Sequence, residues 1–139
     1  MSGNGCSCEG SPVPVAESAS AATPCGSGAR FTEVVWETLA LDANGTQVSR
    51  PFSARGGNAF DFIILTIAAA GAIQTAFQAQ VSDDGVNFFN LGSAGQSTAV
   101  GYVVMGPITG NAAAHIRLVA VEQAGNKTNF TVVSRVWCG

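Results

Sequence analysis

Ionic side chains are scarce: 11% of the 139 residues are Asp, Glu, Lys or Arg, against about 25% in an ordinary soluble domain. Lys127 is the only lysine, and Arg30, Arg50, Arg55, Arg117 and Arg135 stand singly. With a net charge of −3 and no basic stripe to displace counterions from phosphates, nucleic acid is excluded as a partner. Long hydrophobic runs are also missing. The most apolar stretch, Phe60 to Ile73, is broken by Asp61 and Gly71, well short of the roughly 18 residues a membrane-spanning helix needs. The start, Met-Ser-Gly-Asn-Gly-Cys, has neither a basic region nor an apolar one, so no signal peptide is expected and synthesis in a cytoplasm is.

Catalytic raw material is equally thin. His115 is the only histidine, hence the only candidate base for a Ser-His-Asp arrangement, and no Gly-x-Ser-x-Gly elbow accompanies it. Asp83 and Asp84 are adjacent on one turn, whereas a glycosidase needs two carboxylates facing each other across its substrate. Ser82-Asp83-Asp84-Gly85-Val86-Asn87 also offers too few alternating oxygens for a calcium loop. The small-residue loops at 68–72 and 92–96 precede no helix with a phosphate-binding lysine. No enzyme activity, cofactor or metal is expected.

What is present is apolar: 47% of the chain. A chain so poor in charge and so rich in apolar residues is expected to cover its surfaces with neighbouring subunits, since a free monomer normally keeps a charged exterior. A homo-oligomer is therefore anticipated.

Residues 1–29 are Gly, Ser, Ala, Pro, Cys and Thr with little else. Such a segment cannot bury enough apolar surface to offset its ordering entropy, and it reads as an extended N-terminal arm that settles on a neighbouring subunit. Residues 30–139 form the second region, in which short apolar runs alternate with turn residues. Strands are expected at Phe31–Leu41, Gln47–Ala54, Ala59–Ala68, Ile73–Val81, Val86–Leu91, Thr98–Ile108, His115–Glu122 and Lys127–Trp137. Asn44-Gly45 is a hairpin signal, and Pro51 puts its strand at an edge. Ala59–Ala68 is apolar at both parities, the pattern of a strand buried on both faces; Ile73–Val81 alternates cleanly. About eight strands with regular turns predict an all-β antiparallel β-sandwich, jelly-roll-like, with no helix of consequence.

The cysteines, Cys6, Cys8, Cys25 and Cys138, fall at the two chain ends. An even count there suggests disulfides, one tying the arm to the C-terminus and another linking subunits, with the connectivity left open by spacing. Cys6-Ser7-Cys8 is spaced too closely for zinc. The disulfides would form after release from a reducing cytoplasm. Of the aromatics, Phe60, Phe62, Phe77 and Phe130 read as core. Trp36, Trp137, Phe88 and Phe89 are the candidate interface anchors, because binding energy concentrates in such side chains.

One passage has a familiar form. Phe77-Gln-Ala-Gln-Val81-Ser82-Asp83-Asp84-Gly85-Val86-Asn87-Phe88-Phe89-Asn90-Leu91-Gly92 resembles a hairpin of tailed-bacteriophage virion β-sandwich proteins, in which a strand leads into a Ser-x-Asp-Gly-x-x-Trp turn and returns to end near Leu-Gly. His115-Ile-Arg-Leu-Val-Ala-Val121 with Phe130-Thr-Val-Val133 resembles the final strand pair of such domains. Phe88 or Phe89 stands where that pattern has Trp. The resemblance implies a capsid decoration or cement protein, or another head or tail component, made in the host cytoplasm and located in the virion. Its partners would be its own copies and the major capsid or tail protein. The same hairpin occurs in discoidin-like and other carbohydrate-binding jelly rolls, so a carbohydrate-binding module reading sugars through Phe88, Phe89, Tyr102 and nearby Asn residues is an alternative. A surface or filament subunit is another.

Overall fold

The computed structural model of the chain describes residues 30–138. The arm reading, and Cys6, Cys8 and Cys25, fall outside those residues. Ten strands are present among the described residues: β1 (Arg30–Leu41), β2 (Thr46–Val48), β3 (Phe52–Ser53), β4 (Ala59–Ala69), β5 (Thr75–Ser82), β6 (Phe89–Asn90), β7 (Gly95–Ser97), β8 (Gly101–Ile108), β9 (His115–Glu122) and β10 (Thr128–Trp137). They make two antiparallel sheets. One has four strands in the order β1-β10-β4-β8. The other has six, running β2-β9-β5-β6, with β3 beside β2 on β9 and β7 beside β6 on β5. The architecture is the expected all-β sandwich.

The chain changes sheet at six of the nine connections between the described strands, which corrects one expectation. The Asn44-Gly45 turn forms, with Asn44 in the left-handed region (φ 57°) and Gly45 N donating to Asp42 O at 2.9 Å. It does not close a hairpin: β1 pairs with β10, and β2 pairs with β9. The reason is Glu122, at the end of β9. Its backbone N–H donates to Gly45 O, and its buried carboxylate accepts from Asn44 N (2.7 Å), Gly125 N (2.8 Å) and Ala124 N (2.8 Å). The turn is thereby fastened to the six-stranded sheet. These backbone donors, Asn44 N foremost, hold the Glu122 carboxyl below the usual carboxylate range against the opposing effect of burial.

The core lies between the sheets. Phe60, Phe62 and Ile64 of β4 and Phe130, Val132 and Val136 of β10 meet Phe77 and Ala79 of β5 and Ile116, Leu118 and Ala120 of β9, all fully buried. Each large side chain so buried contributes about 1.5–3 kcal/mol. Phe77 and Phe130 join the layers edge to face, with centroids 5.2 Å apart and rings at 89°. Thr66 of β4 and Ser97 of β7 add a hydroxyl contact across the layers.

Other expectations shift in detail. Gln47–Ala54 is two short strands, because Ser49–Pro51 leaves the ladder; Ser49 Oγ accepts Leu118 N (2.9 Å) in its place. Val86–Leu91 shrinks to Phe89–Asn90, because the Asp84 side chain holds 82–87 as a turn. Thr98–Ile108 begins at Gly101, since 95–97 belongs to the opposite sheet as β7. Ala59–Ala68 is not buried on both faces. Both parities are buried only over 59–62; beyond that Ile64 and Thr66 face the core, while Ile63 and Leu65 are half-buried on the outer face and Ile67 is 46% exposed.

Candidate binding surface

The polar residues with catalytic or metal-binding chemistry are occupied structurally. Asp84 Oδ1 accepts from Ser82 Oγ, Val86 N and Asn87 N, each at 2.8 Å, and Oδ2 accepts from Asn87 Nδ2 at 2.8 Å. These donors, led by Asn87 N, hold its carboxyl far below the usual carboxylate range, as expected for a carboxylate that caps its own turn. His115 starts β9, opposite Ser53 and Ser82, and Gly85 rests against its ring. Among the described residues no group of three His, Cys, Asp or Glu side chains converges as metal ligands would.

The four candidate anchors do not gather into one patch. Trp36 sits opposite Val132 and packs against the core. Trp137 ends β10 with the Arg30 guanidinium 5.5 Å from its ring. Phe89 opens β6 of the six-stranded sheet, and Phe88 comes just before it. The Phe88 ring lies 3.9 Å beneath the Arg117 guanidinium, which also donates to Gln80 Oε1 at 2.8 Å; Gln80 in turn donates to Asn90 Oδ1 at 2.9 Å. Phe89 is 60% exposed. Tyr102 is on the four-stranded sheet, so the sugar-reading set of Phe88, Phe89 and Tyr102 is split between opposite sides of the sandwich. Cys138 follows β10 and is disulfide-bonded.

A different surface stands out, on the outer face of the four-stranded sheet. Strand register places Val34, Val133, Ile63 and Val104 in one row across all four strands. The next row holds Thr131, Leu65 and Tyr102. Val34 and Val104 are more than half exposed and Tyr102 is 72% exposed. In the row on the other side, Arg135 and Asp61 form an ion pair, with Arg135 Nε 3.0 Å from Asp61 Oδ1 and Nη2 2.5 Å from Oδ2. The pairing with Asp61 holds the Arg135 guanidinium charged and leaves the row electrically neutral. A contiguous exposed apolar stripe of this kind is uncommon on a soluble monomer. Sequence reading missed it because the outward parity of β4 was assigned to a second buried layer. The alternation of Tyr102 and Val104 with Val103 and Met105 was the available signal.

No protein-family profile matches the chain, and no curated protein sequence matches it. Solved structures do. The PBSX exported protein XepA superposes with a TM-score of 0.61 at 12% identity, covering 78% of this chain and 37% of that one. The SPBc2 prophage-derived protein YomS superposes at 0.52 and 12% identity, covering 77% of this chain and 91% of that one. The chain thus spans little more than a third of XepA and has the fold of these phage-derived proteins, in agreement with the phage β-sandwich resemblance of the 77–92 hairpin. Likenesses to a chain of the infectious bursal disease virus particle, at 0.45, and to a xylan-binding CBM22-1 domain, at 0.36, lie below the level at which a common fold follows.

Proposed function

We propose that this chain is a non-catalytic structural protein of a phage particle, acting as a decoration or cement protein that binds copies of itself and a capsid or tail lattice. The observation that carries this reading is the apolar row across the outer face of the four-stranded sheet, Val34-Val133-Ile63-Val104, which has no cover within the described chain. Covering it would release water from apolar surface at about 25 cal/mol per Å². The low ionic content and the fold shared with prophage-derived proteins support the same reading. A sugar-binding role has less support, since Arg117 covers the Phe88 ring and Tyr102 lies on the far side.

The test is quantitative peptide mass spectrometry of purified particles from a host that carries the gene. The chain should be present in a fixed ratio to the major capsid or tail protein. Its absence from washed particles, with the protein abundant in the lysate, would reject the proposal.

A further inference from the structure

We infer that the outer face of the four-stranded sheet seats a second copy of this chain, sheet face to sheet face. This rests on the self-binding half of the proposed function and names its surface.

Three observations choose a second copy as the occupant. The first is charge. The apolar row carries none; of the rows beside it, one holds the mutually neutralising Asp61–Arg135 pair and the other a single carboxylate, Glu37, exposed on β1 where its carbonyl accepts from Thr131 Oγ1. Arg30, held over Trp137, and Lys127 lie at the ends of the face. A two-fold axis parallel to the sheet lays apolar row on apolar row with no like charges opposed, and sheets packed in this aligned manner sit about 10 Å apart.

The second is area. From Trp137 back to Asn129 the face spans nine residues of β10, about 26 Å at roughly 3.3 Å per step, and four strands at about 4.8 Å span about 19 Å. Each copy would therefore cover about 500 Å², or about 1,000 Å² for the pair, the floor for a specific interface and the range of reversible ones. The third is the composition of residues 1–29, whose only large apolar side chains are Met1, Val13 and Val15. That segment cannot supply a complement to a four-residue aliphatic row and the Tyr102 ring beside it.

The experiment is sedimentation velocity of the purified full chain from about 1 μM to about 1 mM, the span that resolves a reversible dimer, with and without reductant to separate this contact from cysteine links. The wild type should show a concentration-dependent dimer in both conditions. V104E and, independently, V34K should weaken it at least about 10-fold while unfolding like the wild type. V48E, at an exposed position on the opposite sheet, should leave it unchanged. A wild type monomeric throughout, or a dimer broken by V48E and not by V104E, would overturn the inference. If the chain is monomeric and V104E nevertheless blocks particle binding, the face seats a lattice protein; the inference then falls and the proposed function stands. A dimer lost in V104E, from a chain absent from particles, supports the inference and rejects the function.

Discussion

Strand β4 offers a parity experiment. Phe62 is fully buried, and its ring meets Phe60 edge to face at 5.8 Å and 83°. Phe62→Ala removes that ring from a closed interlayer, at a cost of about 3–5 kcal/mol in transfer and cavity terms. Domains of this size are stable by about 5–15 kcal/mol, so the loss is a large fraction of the total. With a urea slope of about 2 kcal/mol/M, the midpoint should fall by about 2 M. Ile67, on the same strand with opposite parity, is 46% exposed. Ile67→Thr keeps the β-branch and removes carbon already half in water, so its cost should stay within about 1 kcal/mol. Ile63→Thr should fall between the two, since Ile63 is flanked by Val133 and Val104. Equilibrium urea unfolding in dilute protein, below the range of self-association, reads all three. Equal losses for Ile67→Thr and Phe62→Ala would mean that one chain buries both faces of β4, and the case for an open outer face would fail.

Other outcomes follow from particular contacts. Glu122 has a folded pKa below its unfolded value, so the stability it contributes is complete above roughly pH 4.3, its usual value, and is lost as pH falls through the depressed folded pKa. Glu122→Gln should lower the melting temperature at pH 7 and reduce its fall on acidification; an unchanged acid limb in a pH series of thermal melts contradicts this. Asp84→Ala should expose the Val86 and Asn87 amides to faster hydrogen exchange while the core amides of β4 and β10 stay protected, because Asp84 holds only its own turn. Gly57→Ala places a Cβ 2.6 Å from Val136 Cγ1 and close to two backbone carbonyls, and should cost about 1–3 kcal/mol by calorimetry. Arg117→Ala should uncover the Phe88 ring; a glycan array on which the wild type binds sugar and Phe88→Ala binds none would revive the carbohydrate reading.

Much of the sandwich was legible because its strands carry the two-residue period in plain form. Phe77, Ala79 and Val81 alternate with Ala76, Gln78 and Gln80, and the core took the first set. The turns were legible because Asn44 and Gly125 supply the positive φ that a reversing backbone needs. Sheet membership was hidden. Nothing local says that the strands flanking Asn44-Gly45 go to different layers, a choice made by Glu122 about eighty residues away in sequence. The open apolar face was hidden for a related reason. An apolar residue that awaits a partner and one already in a core look alike in sequence, so Ile63, Leu65 and Ile67 took on the buried status of Phe60 and Phe62. Only the register with Val34, Val133 and Val104 places them on an open face.

The account is tested most directly by a cryo-electron microscopy reconstruction of the particle that carries this chain. It should contain this two-sheet sandwich at regular lattice positions, with the Val34–Val104 row covered by protein in every copy. A particle map that accommodates no such sandwich, or one in which that row faces open solvent throughout, would contradict it.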